Sequence, residues 1–118
     1  MKPAQTCPSC ATQLYIERLR CSACNTVVEG NFWWPRLSRL SPEDQQLVEL
    51  LILSSGSLKA AAKKLGISYP TMRKRLDELI RGLEAEVRKD EKLRREVLKE
   101  VAAGKRSVDD AVKRLKAL

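Results

Sequence analysis

The sequence predicts a mainly α-helical chain that opens with a small β-hairpin anchored by cysteines, and three observations carry that expectation. Two Cys-x-x-Cys pairs, Cys7 with Cys10 and Cys21 with Cys24, stand ten residues apart near the start. From Ser41 onward, serine starts and glycine stops bracket apolar residues at helical spacing. The 118 residues are 43% hydrophobic and 32% charged, with five Gly and five Pro, which is the composition of a folded chain of about one domain.

Residues 1–31 contain the cysteines. Each short Cys-x-x-Cys knuckle points two sulfurs the same way, and two knuckles suit one tetrahedral Zn²⁺. Between the pairs, Gln13 to Glu17 alternates as a short strand does, and Thr26-Val27-Val28 offers its partner. A hairpin carrying two knuckles is a zinc ribbon, with Cys7, Cys10, Cys21 and Cys24 as ligands of one structural zinc per chain. The chain has no His, and four thiolates leave no open position for a catalytic water. Zinc at such a site contributes on the order of 10–16 kcal/mol to folding. The alternatives are two disulfides or a redox dithiol, but Pro8 and the nearby strand pattern do not resemble the helix start of a redox motif. A residue tolerant of left-handed backbone usually ends each knuckle; Asn25 suits that role and Ala11 suits it poorly.

Residues 32–41 form an aromatic connector, Phe32-Trp33-Trp34-Pro35, in which Pro35 biases Trp34 toward extended backbone. The rings can pack the ribbon against the helices, or offer a stacking or docking patch. Arg36 and Arg39 stand where they could reach phosphates or water.

Residues 42–83 read as a tri-helical helix-turn-helix. Ser41 caps a first helix at Pro42-Glu43-Asp44, whose apolar stripe is Leu47, Leu50, Leu51 and Leu53 or Ser54. Gly56 ends it, Ser57 caps the next helix, and Gly66 stops that one at Leu65. Ser68 caps a third helix, which runs from Tyr69 to about Gly82. Ala62 allows close approach, Gly66 takes the turn, and Ile67 plugs the angle between the last two helices. Met72, Leu76, Leu79, Ile80 and Leu83 face inward, which leaves Tyr69, Thr71, Arg73, Lys74 and Asp77 outward. That outward set suits a major groove, with Arg73 placed to contact guanine. Lys63, Lys64, Lys74, Arg75 and Arg81 are the expected phosphate contacts.

The run Gly66-Ile67-Ser68-Tyr69-Pro70-Thr71-Met72-Arg73-Lys74-Arg75-Leu76 resembles the recognition segment of Fis-type helix-turn-helix domains. The resemblance implies that Ser68, Tyr69, Thr71, Arg73 and Lys74 contact DNA, although Tyr69 and Pro70 depart from the commoner residues. More broadly, the knuckles, Glu29-Gly30-Asn31-Phe32 and the Leu65–Thr71 segment resemble a bacterial and archaeal zinc-ribbon plus helix-turn-helix family of unknown function. That match spans residues 7 to about 83 and implies the fold and a regulatory role.

Residues 84–118 predict a helical hairpin, Glu84 to Ala103 and then a helix capped at Ser107. Leu93, Val97, Leu98 and Val101 face inward on the first arm, and Val108, Ala111, Val112, Leu115 and Leu118 on the second. The segment from Val97 is similar to short C-terminal helical hairpins of bacterial membrane-stress and oligomerising proteins. A hairpin this small needs a neighbour, and homodimerisation or higher homo-oligomerisation is the favoured expectation. Two recognition helices about 34 Å apart would then read a palindrome.

The net charge of +8 favours polyanions. No run of apolar residues is long enough to span a membrane, and the start MKPAQTCPSC lacks a signal-peptide core, so a cytoplasmic address is expected. Without His, an open metal position, a Gly-rich phosphate loop or a nucleophile–base pair, no enzyme is expected. The leading expectation is a regulator that binds double-stranded DNA. The alternative is an adaptor docking on RNA polymerase or another protein through the ribbon and the tryptophans.

Overall fold

Each α-helix of the chain starts on a serine, and these starts set the architecture. The computed structural model describes residues 4–116 and 118, so residues 1–3 of the expected ribbon and Ala117 of the expected tail lie outside the described residues. The helices are α1 (Pro42–Leu53), α2 (Leu58–Leu65), α3 (Tyr69–Ala102) and α4 (Val108–Lys116). Ser41, Ser57, Ser68 and Ser107 accept hydrogen bonds from the N–H groups of Asp44, Ala60, Thr71 and Asp110 at 3.1, 3.1, 3.3 and 3.1 Å. Each bond satisfies a donor that the first helical turn leaves without a partner. The stop that matters most is Gly66, in left-handed backbone at φ +67°. It lets Ile67 N–H reach back to the Ala62 carbonyl at 3.1 Å and turns the chain from α2 into α3.

The core of this tri-helical unit is Leu40, Leu47, Ala61, Ala62, Met72 and Leu79, with Leu50, Leu51, Ile67, Leu76 and Leu83 packed around it. The inward face of α3 is as its periodicity predicts, with one correction. Ile80 is 41% exposed, because its angular position puts it beyond the edge of the stripe centred on Met72 and Leu79. In α1, Ser54 rather than Leu53 takes the last inward position, and Leu53 points to solvent.

The largest departure from expectation is at residue 83. Instead of two helices meeting near Gly82, α3 runs unbroken for 34 residues. A lone glycine costs a helix interior only about 1 kcal/mol, and flanking Leu79 and Leu83 pack against the core on either side of it. The recognition helix and the first arm of the tail are one element.

Ahead of the helices, β1 (Ile16–Arg20) and β2 (Val27–Phe32) form an antiparallel hairpin, pairing Arg20 with Val27 and, past a bulge, Ile16 with Phe32. The first strand lies later than the expected Gln13–Glu17, because Gln13 belongs to a separate bridge with Thr6. Between hairpin and helices, Arg36–Arg39 makes a short 3₁₀ turn that the sequence pattern does not announce. Gly104, at φ +71°, reverses the chain after α3, and α4 folds back against it. Val97 and Ala111 are the buried apolar residues of that half. Leu98, Val108 and Val112, expected inward, are exposed because α4 turns its Ala111–Arg114 edge toward α3 and the ribbon.

Candidate nucleic-acid interface and cysteine centre

The two knuckles adopt one conformation twice. Thr6 bridges Gln13 and Arg20 pairs with Val27, each across seven residues. Cys7 N–H donates to the Thr12 carbonyl and Cys21 N–H to the Thr26 carbonyl, both at 2.8 Å. Ala11 and Asn25 donate back to the carbonyls of Cys7 and Cys21, both at 2.9 Å. Ala11 stands at φ +60° and Asn25 at φ +63°, so both take the expected left-handed position. For Ala11 the cost is about 1–2 kcal/mol, whereas asparagine is among the side chains that visit this region routinely.

The sulfur chemistry repeats as well. Thr12 Oγ1 lies 3.3 Å from Cys10 Sγ, and Thr26 Oγ1 lies 3.0 Å from Cys24 Sγ. These threonines, with Cys7 and Cys21 adding to them, hold the Cys10 and Cys24 thiols below the ordinary thiol value. Ser9 N–H points at Cys7 Sγ at 3.4 Å. All four cysteines are free thiols at or near the surface. The donor set therefore fits a soft tetrahedral cation, two sulfurs to a knuckle. Among the described residues, however, no three cysteine or carboxylate side chains gather closely enough to hold a metal ion. The structure brings the cysteines together as pairs and does not bring the two pairs to one point.

The second candidate region is the start of α3. Met72 is fully buried, and Tyr69, Thr71, Arg73 and Lys74 are exposed on the rest of the turn. Ser68 is exposed too, but its hydroxyl is engaged with Thr71 Oγ1 at 2.8 Å, so these two side chains present one joined pair of oxygens. Arg73 lies 3.4 Å from Asp77 one turn on, an exposed contact worth a few tenths of a kcal/mol and readily exchanged. Lys63 and Lys64 project from the last turn of α2, where their charge also complements the helix dipole.

Three of the arginines considered for phosphate contact stand among carboxylates. Arg75 sits about 200° around the helix from Arg73 and lines a cleft against α1 with Glu43, Asp44 and Glu78. Its immediate surroundings are acidic, and it stands on the other side of Lys74 from Arg73. Arg36 and Arg39 do not stand free for phosphates. Arg36 Nε donates to Asp90 Oδ2 at 2.9 Å, and Arg39 to the same oxygen at 2.5 Å and toward Glu86 at 3.6 Å. Asp90 is only 3% exposed. Burial alone would raise its carboxyl, but the hydrogen bonds and charges of Arg39 and Arg36 outweigh that and hold it below the usual carboxylate range.

The tryptophans are also spoken for. Trp33 packs 5.1 Å from Tyr15, centroid to centroid, and the Arg114 guanidinium covers its ring at 3.8 Å. Trp33 and Trp34 are both half-buried, and Trp33 joins the ribbon to α4 rather than forming part of an open stacking patch. The signal for the Asp90 cluster was a single carboxylate in a mixed-charge run, which periodicity alone does not separate from a solvated face.

No helix among the described residues is long and apolar enough to cross a membrane. No curated protein and no solved structure matches the chain. Two family models do. Residues 7–38 match the DUF2089 zinc ribbon, and residues 40–86 match the helix-turn-helix domain of unknown function DUF2089. The two matches meet at Arg39, the last residue of the 3₁₀ turn, and the second opens on Leu40, the first buried residue of the tri-helical core, so sequence family and physical packing divide the chain at nearly the same place. With a ribbon and a helix-turn-helix matched in order over most of its length, the chain belongs to the DUF2089 family.

Proposed function

We propose that this protein is a DNA-binding transcriptional regulator in which the first turns of α3 enter the major groove. The observation that carries the reading is the division of that turn. Met72 is sunk in the core, so Tyr69, Arg73 and Lys74 are held outward on a rigid, capped helix beside the Gly66 turn. A basic chain of net charge +8 supplies the attraction to phosphate. Arg73, released from Asp77, contacts a base edge; Lys74, Lys63 and Lys64 contact phosphates. In the ribbon, Cys7, Cys10, Cys21 and Cys24 would hold one structural Zn²⁺ once the two knuckles draw together on it, and the ion would supply the cross-link that a segment without buried residues lacks.

The test is enrichment of genomic DNA fragments by zinc-loaded protein across a salt series, beside the Arg73→Ala/Lys74→Ala variant. The expected result is a shared site whose affinity falls at least tenfold in the variant, with the helical signal unchanged. Equal binding by both proteins, or binding that depends on salt and not on sequence, overturns the reading.

A further inference from the structure

α4 and the ribbon flank an open cleft rich in basic side chains. It has a volume of about 570 Å³ and is lined by Asn31 and Trp33 from the ribbon side and by Arg106, Lys113, Arg114 and Lys116 from the other. The one carboxylate in its wall, Asp110, is engaged by Arg106 at 3.0 Å, and Arg106 is further held by Glu100 at 2.7 Å. Lys113 and Lys116 form no ion pair among the described residues.

Arg114 is the unusual member. Its residue is only 8% exposed, yet no carboxylate pairs with it among the described residues. Its contacts are the Trp33 ring at 3.8 Å and one long bond to Gln13 Oε1 at 3.4 Å. A guanidinium carries five donors, and those of Arg114 that do not meet Gln13 reach the solvent of the cleft rather than a protein acceptor. Burial, together with repulsion from Arg39 and Arg106, pushes its pKa down against the pull of Asp90. An anion in the cleft would take the place of that solvent on the guanidinium and offset the repulsion.

We propose that this cleft is a binding site for a phosphate-bearing ligand. Arg114 is braced on Trp33 as its fixed donor, and Lys113 and Lys116 close on the anion from the rim. The volume accommodates a ligand up to the size of a mononucleotide. Trp33 has one face covered by Arg114, so recognition rests on the phosphate and not on ring stacking. Guanidinium and ammonium groups together favour a phosphate over a carboxylate of single charge. The site lies on α4 and the ribbon, away from Arg73 and Lys74, and does not depend on the DNA-binding reading.

The phosphate can be free or part of a nucleic-acid backbone, and one experiment separates the two. Zinc-loaded full-length protein is titrated with pyrophosphate, with ATP and with a duplex of arbitrary sequence, following tryptophan fluorescence and the backbone amide shifts of Lys113 and Arg114. The same titrations are run on Lys113→Ala/Lys116→Ala, whose side chains are exposed and unpaired among the described residues, and on Arg73→Ala/Lys74→Ala. A saturable response to pyrophosphate or ATP, weakened at least tenfold in the Lys113/Lys116 variant and retained in the Arg73/Lys74 variant, establishes a free phosphate ligand. A response to duplex alone, weakened by the Lys113/Lys116 change while those amides shift, places a backbone phosphate in the cleft. Titrations that are unsaturable, or identical in wild type and the Lys113/Lys116 variant, overturn the proposal.

Discussion

The ribbon and the tri-helical unit solve the same problem by opposite means. From residue 4 to residue 39 no residue is fully buried, and order there comes from backbone turns and cysteine knuckles. From Leu40 onward a contiguous apolar core forms, with Met72 and Ala61 wholly out of water. Burying a side chain the size of Met72 contributes about 1.5–3 kcal/mol, so the helices hold themselves together and the ribbon does not. The two halves therefore fail under different insults, and what joins them is neither core nor knuckle but polar contacts, the charge cluster at Asp90 and the Arg114–Trp33 stack.

That contrast can be broken or sharpened by experiment. The largest effect is expected from metal removal. Chelation should unfold the ribbon, forfeiting on the order of 10 kcal/mol of metal binding, while far-ultraviolet circular dichroism keeps most of its helical signal. A helical melt that collapses with chelation would mean the core is not self-sufficient.

Next comes the joint. Asp90→Asn removes the counter-charge of Arg36 and leaves Arg39 only the longer contact to Glu86, and should cost about 3 kcal/mol in urea unfolding at neutral pH. Asp90's carboxyl is lowered in the folded state, so its contribution is fully present above its unfolded value of about 3.9 and is lost as pH falls through the folded one. The gap between wild type and variant should therefore close on acidification; a gap that persists at low pH would refute the charge argument.

Smaller effects compare like with like. Gly66→Ala should lose about 1–2 kcal/mol at a left-handed position, and Ala11→Gly should gain about 1 kcal/mol in the zinc-loaded ribbon by relieving the same strain. Asn25→Gly should change little, which separates the two knuckles. Smallest is Gly82→Ala. A Cβ there meets nothing within 4 Å, so the substitution should stabilise α3 by about 0.5–1 kcal/mol in thermal unfolding.

Most of the helical architecture was legible because its signals are local. Serine caps, left-handed glycines and 3.6-residue periodicity are properties of neighbours in sequence, and α1, α2 and the start of α3 lie where those signals put them. The knuckles were legible from spacing, down to the awkward Ala11. What was not legible depends on pairs distant in sequence. Arg36 and Arg39 meet Asp90 more than fifty residues on, and Arg114 meets Gln13 about a hundred residues back. Nothing in the local pattern distinguishes these arginines from solvated ones. The false break at Gly82 has the opposite cause: a propensity of about 1 kcal/mol was read as a boundary, and packing on both sides of it was stronger.

Because α3 has no interruption, it acts as a lever with its two working ends on one shaft. Asp90 grips the connector about 25 Å along the axis from Arg73, seventeen residues at 1.5 Å each. Over that distance a tilt of about 5° at the grip displaces the outward face of the first turn by about 2 Å. That is more than a bidentate contact to a base tolerates. Whatever seats the ribbon on Asp90 therefore also sets the aim of Arg73 and Lys74.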